Sequence, residues 1–213
     1  MADLRMLVIS DVHSSTSAAA MVTEDAKALS PDLIVVCGDV THFGPPSFAE
    51  SFLDSLPART LAVPGNCDPP EVLRAMRARG MDLHEKRVGV RGVQFAGLGG
   101  SNLTPFDTLM EFDEGHIFSA LEKVMVEGAV LVTHVPPKGR VDAAMNGVHA
   151  GSEAVARIVE KYRPGLSLSG HIHEARGIER DGTTVFVNPG PARKGFRAFV
   201  RLAGDAIEAE LLG

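Results

Sequence analysis

The sequence predicts a mixed α/β fold, with parallel strands early in the chain and antiparallel hairpins late. Three observations carry that expectation. Short apolar runs with branched residues end on polar residues, amphipathic stretches separate them, and the last third places glycine-containing turns between alternating segments. Leu4–Ser10 is the first such run and stops at Asp11. Thr16–Leu29 then reads as a helix, followed by a strand over Leu33–Cys37 that enters Gly38-Asp39. A helix over Ser47–Asp54 leads to a strand over Thr60–Val63, which enters Pro64-Gly65-Asn66. Pro69–Arg79 is helical, because its apolar residues recur at three- and four-residue steps. Arg87–Ala96 alternates around Arg91-Gly92, which reads as a hairpin. Phe118–Glu127 is a further helix, Ala129–Thr133 a strand entering His134, and Gly151–Tyr162 a second strongly amphipathic helix. Leu166–Ser169 is a short strand entering Gly170-His171. Two more hairpins turn at Asp181-Gly182 and at Gly204-Asp205. No repeat, low-complexity tract or linker interrupts the 213 residues, so a single domain over 1–213 is expected.

Composition narrows the function classes. The chain is 45% hydrophobic and 23% charged, which excludes disorder as the dominant state. Its net charge of −6 argues against non-specific binding to nucleic acid or anionic lipid. Two cysteines, Cys37 and Cys67, make no disulfide framework and point to a reducing compartment. No apolar run approaches a membrane span, and the start MADLRMLVISD shows no leader pattern, so a cytoplasmic location is expected.

The polar residues fall where the strands end. Asp11 and His13 follow the first strand, Asp39 the second, Asn66 the third, His134 the fourth, and His171 and His173 the fifth. Parallel strands bring their carboxyl ends to one crevice, so these seven residues can meet there. Two carboxylates, one amide oxygen and four imidazoles form a mixed nitrogen and oxygen set suited to borderline transition metals. Each piece alone is an ordinary turn or a surface histidine. In this order, each at a strand end, they make a strong signal.

These residues resemble the calcineurin-like metallophosphoesterases. That family's pattern is Asp-x-His, Gly-Asp, Gly-Asn-His-Asp/Glu, a lone His after a strand, and Gly-His-x-His. The matches here are Asp11-Val12-His13, Gly38-Asp39, Gly65-Asn66-Cys67-Asp68, His134 and Gly170-His171-Ile172-His173. The resemblance implies a four-layer αββα sandwich of two mixed β-sheets with helices outside and a dinuclear centre at the sheet edge. It implies two divalent ions, Mn²⁺ foremost, with Ni²⁺, Zn²⁺, Fe²⁺ or Mg²⁺ as other candidates. Asp11, His13, Asp39 and His173 would hold one ion, and Asp39, Asn66, His134 and His171 the second, with Asp39 bridging. A hydroxide between the ions would attack a small phosphate ester, most readily a diester. The ions outweigh the two carboxylates and the hydroxide, so the site suits an anionic ester.

One position departs from the pattern, since Cys67 stands where the family has histidine. A Gly-Asn-Cys-Asp version resembles a bacterial and archaeal subset of small phosphodiesterases. The implied catalytic group is Asn66, Cys67 and Asp68. The family histidine assists the leaving group and Asp68 would steady it, whereas Cys67 is either a participant or a small packing residue. Cys37, inside an apolar strand, is core. Asn102 and His149 are candidates for substrate contact, and Ser101–Ile117 for a rim over the site. Arg193, Lys194 and Arg197, and separately Lys138 and Arg140, are basic clusters that either meet the phosphate or are solvated. Two other functions compete with hydrolysis: a non-catalytic scaffold of the same fold, disfavoured because every ligand position is filled, and a nuclease, disfavoured by the acidic balance.

Overall fold

Strand β1 (Leu4–Ile9) lies in the middle of a five-stranded sheet, because it is apolar on both faces and every residue but one is buried. The computed structural model describes residues 3–145, 147–204 and 206–213. Helix α1 (Thr16–Leu29) begins at Ser15, whose hydroxyl accepts from the Ala18 amide, and ends at Ser30 in the left-handed region. Strand β2 (Leu33–Cys37), helix α2 (Pro46–Ser55), strand β3 (Thr60–Val63) and helix α3 (Pro70–Ala78) complete two crossover units. Both α2 and α3 start with proline, where the missing amide costs no helical hydrogen bond.

The second half builds a second sheet. Strands β4 (Lys86–Val90) and β5 (Val93–Leu98) form a hairpin whose turn residues Arg91 and Gly92 both take positive φ, at 48° and 83°. Two very short strands, β6 (Ser101–Asn102) and β7 (Glu111–Phe112), pair with each other at the ends of the expected rim. Helix α4 (Glu114–Val124), strand β8 (Val130–Thr133), helix α5 (Glu153–Tyr162) and strand β9 (Leu166–Leu168) follow. Strands β10 (Gly177–Arg180) and β11 (Val185–Asn188) form the next hairpin, and β12 (Arg197–Ala203) with β13 (Ala206–Leu212) the last. Of the expected Gly204-Asp205 turn, Gly204 has φ 63° and Asp205 lies outside the described residues.

Strand order is β13-β12-β1-β2-β3 in one sheet and β10-β11-β9-β8-β5-β4 in the other. Each is mixed: β1, β2 and β3 run parallel, as do β5, β8, β9 and β11, while the late hairpin strands and β4 pair antiparallel. The sheets face each other across a dry layer in which Met6, Val8 and Val35 of the first meet Phe95, Val132 and Leu168 of the second. Helices α1, α2 and α3 cover the outside of the first sheet and α4 and α5 the outside of the second. This is the expected four-layer αββα sandwich.

Helix α4 differs from the expected Phe118–Glu127. It begins four residues earlier, because the Asp113 carboxylate caps it by accepting from the His116 amide at 2.8 Å. It stops at Val124, because Met125 is already extended.

Candidate metal centre

The strands β1, β2, β3, β8 and β9 deliver their carboxyl ends to one edge of the sandwich, and the loops that follow carry the polar residues. Those loops are tight. Asp11, His13, Asp39 and His171 have φ of 56°, 50°, 51° and 64°, a region that side chains other than those of Asn, Asp and His rarely tolerate. Each such residue stores roughly 1–3 kcal/mol of backbone strain, of the kind that accumulates at functional sites. Backbone bonds from Asp11 to Gly38 (3.1 Å) and from His13 to Asp39 (2.9 Å) lock the first two loops together. Gly65 is required by proximity, since a Cβ there would collide with the Asp39 carboxylate.

The side chains then converge. Nε2 of His13 lies 3.2 Å from Nε2 of His173, 3.6 Å from Oδ1 of Asp11 and 3.7 Å from Oδ2 of Asp39. Oδ2 of Asp39 also lies 3.6 Å from Nε2 of His134, so this one oxygen stands between two imidazoles. The other oxygen of Asp39 accepts the Cys67 amide at 2.9 Å. Nδ1 of His134 meets the Cys37 carbonyl at 2.7 Å, and its Nε2 meets Oδ1 of Asn66 at 2.9 Å. Asn66 is held in that orientation because its amide nitrogen donates to the Thr108 hydroxyl at 2.9 Å. The ring of His171 packs edge-on against that of His134, with centroids 5.0 Å apart.

Electrostatics in this buried set are severe. Burial disfavours charge on both carboxylates, yet Asp39 is held far below the usual range by His134 and His13, and Asp11 is also lowered by His173 and His134. Burial likewise opposes charge on His134, but Asp39 and Asp11 raise it to about 9. His171 is depressed to about 4 by burial and then by the positive charge of His134. Asp68 is pushed up to about 6 by burial and by Asp39. Burial and the same Asp39 charge push the Cys67 thiol well up.

These residues fit divalent cations. A histidine that donates Nδ1–H to a carbonyl turns a lone pair on Nε2 toward the crevice. In the charged, metal-free His134 the Nε2–H instead donates to the Asn66 oxygen at 2.9 Å, and a cation bound there would take that proton's place. Nδ1 of His13 is buried with no hydrogen-bond partner, and Oδ1 of Asp11, equally buried, faces only the Nε2 atoms of His173 and His13, at 3.1 and 3.6 Å. Donor atoms of Asp11, His13 and His173 lie within 4.8 Å of one another, and so do those of Asp11, Asp39 and His134. A hard and borderline donor mixture of this kind is the coordination chemistry of divalent first-row metals.

Comparison with known proteins gives the site a lineage. Residues 4–201 match the calcineurin-like phosphoesterase superfamily domain. The chain belongs to that superfamily. This calcineurin-like phosphoesterase is 33% identical over 197 residues to a protein of Methanocaldococcus jannaschii, MJ1162, described as uncharacterized, covering 88% of both chains. It is 28% identical over 183 residues to a Synechococcus protein named "Probable cyclic nucleotide phosphodiesterase", covering 81% of this chain and 69% of the other. Its fold superposes on TT1561 of Thermus thermophilus with a TM-score of 0.75 at 19% identity, covering 98% of this chain and 99% of the other. Superfamily members use divalent metal ions, in keeping with the donor set described above.

The remaining candidates of this phosphoesterase are scattered. Asp68 is wholly buried and accepts from the amides of Val40 (3.1 Å), Thr41 (2.7 Å) and Gly65 (2.9 Å) and from the Thr41 hydroxyl (2.9 Å). It ties the loops after β2 and β3 together and leaves no oxygen for a substrate. Asn102 lines a cavity that also contains His171 and His173, and its Oδ1 is buried without a partner. His149 is half-exposed and bonded to Asp142 at 2.6 Å. Lys138 pairs with Glu153 at 2.7 Å, and Arg140 with Glu179 and Asp181 at 3.9 and 3.8 Å. Of the basic residues named from the sequence, Arg193 reaches the site, with Nη2 3.3 Å from Nδ1 of His173.

The sequence reading missed two residues. His42 sits in the loop after β2, its ring 5.3 Å from that of His13, and its nitrogen within 4.8 Å of the Cys67 sulfur. Its signal was its position three residues after Asp39. Thr108 is the other, and nothing local in the sequence marks it as the partner of Asn66. No helix among the described residues is long and apolar enough to cross a membrane.

Proposed function

We propose that this protein is a metal-dependent phosphodiesterase, with Asp11, His13, Asp39 and His173 holding one cation and Asp39, Asn66, His134 and His171 the other. The observation that carries the reading is the position of Oδ2 of Asp39 between the Nε2 atoms of His13 and His134, at 3.7 and 3.6 Å. When bound, two such cations acidify a shared water and neutralise the phosphoryl oxygens of an in-line displacement. The chain supplies the rest. Thr108 orients Asn66, the Cys37 carbonyl sets the tautomer of His134, and Asp68 holds the loops that carry Asp39 and Asn66. Arg193 and His42 flank the crevice on either side of His173 and His13, and each brings N–H groups that can meet a phosphoryl oxygen.

The diester preference rests on Cys67. Its thiol is kept protonated by burial and by Asp39, so it offers no cation to the extra charge of a monoester. The likeness to a protein named as a cyclic nucleotide phosphodiesterase makes cyclic diesters the first physiological class to test. The test is turnover of bis(p-nitrophenyl) phosphate, p-nitrophenyl phosphate and cyclic nucleotides by chelator-stripped protein with Mn²⁺, Ni²⁺, Zn²⁺, Fe²⁺ or Mg²⁺ added back. Diester hydrolysis that requires added metal and exceeds monoester hydrolysis is expected. Monoester turnover above that of diesters, or turnover unaffected by stripping, overturns the reading.

A further inference from the structure

Resting on the phosphodiesterase reading, we propose that the site selects an ester bearing a bulky, uncharged, apolar group, which occupies the cavity between residues 102–106 on one side and Ala144, Met145 and Ala150 on the other. This cavity measures about 770 Å³ and has His171 and His173 in its wall, so it opens directly onto the metal centre. Its size lies within the roughly 300–1,000 Å³ of pockets that enclose small organic ligands.

The apolar side chains that the fold leaves in water gather around this mouth. Leu103, Phe106 and Met145 line the cavity, and they are 67%, 80% and 88% exposed. The other large hydrophobics that are exposed among the described residues, Phe43, Leu109 and Val148, lie on the same loops or beside the site. Phe43 stacks edge-on against His42 at 4.8 Å, Leu109 follows the Thr108 that holds Asn66, and Val148 lies in the loop of Met145. Single exposed apolar residues are ordinary, whereas three in the wall of one cavity mark a surface built to be covered.

Charge and hydrogen bonding restrict what covers it. Glu174 is the one carboxylate among the described lining residues, and no lysine or arginine lines the cavity with it. A second phosphate or a nucleic-acid strand would meet that carboxylate with no cation to offset it. Arg193, which lies against His173, serves the reacting phosphate itself. The buried, unpartnered Oδ1 of Asn102 supplies one acceptor for an N–H or O–H on the otherwise apolar group.

The test compares p-nitrophenyl phenyl phosphate, p-nitrophenyl methyl phosphate and a p-nitrophenyl diester carrying a carboxyethyl group, all with metal-loaded protein. Binding of phenyl methylphosphonate and methyl methylphosphonate, which are not turned over, is measured alongside by calorimetry. Phenyl should be favoured over methyl by about tenfold or more in both KM and Kd, as one apolar group in a fitted pocket commonly achieves. The carboxyethyl ester should be the poorest of the three. Replacing the apolar lining (Leu103→Ala, Phe106→Ala and Met145→Ala together, or Phe106→Ala alone) should cut the phenyl preference, to below about threefold in the triple variant. Hydrolysis with equal KM and Kd for phenyl and methyl overturns the cavity proposal and leaves the phosphodiesterase reading standing. A phenyl preference in Kd with no diester hydrolysis does the reverse.

Discussion

The Cys67 backbone amide donates to Oδ1 of Asp39 at 2.9 Å, and that bond decides which oxygen of the carboxylate faces the crevice. Oδ2 is thereby left between His13 and His134, where the proposed bridging role needs it. Asp39→Ala should therefore remove metal from both positions and abolish hydrolysis, while Asn66→Ala weakens one. Asp39 ends a strand outside the dry inter-sheet layer, so the variant should retain its far-ultraviolet dichroism. Elemental analysis of the purified variants checks this, and unchanged metal in Asp39→Ala would end the dinuclear assignment.

The two central histidines predict a pH optimum for the stability of the metal-free protein. His134 is raised to about 9 from 6.5, so its contribution is complete below 6.5 and lost as pH rises through about 9. His171 is depressed to about 4, so its unfavourable proton costs stability as pH falls from 6.5 toward 4. These two groups place the peak near 6.5. Asp68, raised to about 6, takes up a favourable proton as pH falls through the same acid range and flattens that limb, so the decline of the unfolding midpoint toward pH 9 in chelator is the readout. A cation replaces the proton of His134, so loaded protein should keep its midpoint up to pH 9, and metal affinity should fall as pH drops below about 9, where that proton competes. A flat alkaline limb without metal would contradict the charged His134.

Cys67 should behave as an unreactive thiol. It is held protonated and nearly buried, so alkylation at pH 8 should be much slower than for a free cysteine. Cys67→Ala should keep aryl-diester turnover within about tenfold, roughly 1.4 kcal/mol of barrier. Cys67→His should raise turnover of alkyl esters more than aryl ones, because help to the leaving group matters most there. A thousandfold loss in Cys67→Ala on both classes would make the thiol a participant.

Thr108 acts through Asn66, so Thr108→Val should weaken one metal position and spare the other. Loss of a partner that orients a ligand costs roughly 10–100-fold in metal affinity. Competition titration with a chromophoric chelator should therefore resolve one shifted step of two. Two equally shifted steps would place the effect in the fold rather than in Asn66.

Much of this arrangement is legible in the sequence because it is local. The bounds of α1, β2 and β3 follow from apolar runs and their terminators, and the three hairpins from their glycine turns. The meeting of these seven polar residues was legible because each follows a strand, and parallel strands end together. What escaped was long-range or side-chain specific. Helix α4 starts at a cap, Asp113, that lies within an irregular segment, and β6 and β7 are too short to alternate. The Thr108–Asn66 contact spans 42 residues, and His42 reaches the site through the strained loop after β2. Asp68 lies within a motif whose pattern suggests chemistry, yet its four donors come from backbone and hydroxyl groups that only the folded loops assemble.

The two sheets contribute unequal halves of the centre: Asp11, His13, Asp39 and Asn66 follow strands of one, and His134, His171 and His173 follow strands of the other. Between the sheets the contacts are mostly apolar, with a few hydrogen bonds such as that from Arg180 to the Ile207 carbonyl at 2.8 Å. Cations held at this edge would act as a rivet through both plates, tying together loops that follow strands of each. Chelation should accordingly loosen five loops at once, and amide exchange should quicken together at the ends of β1, β2, β3, β8 and β9, although His13 and His173 alone are 160 residues apart.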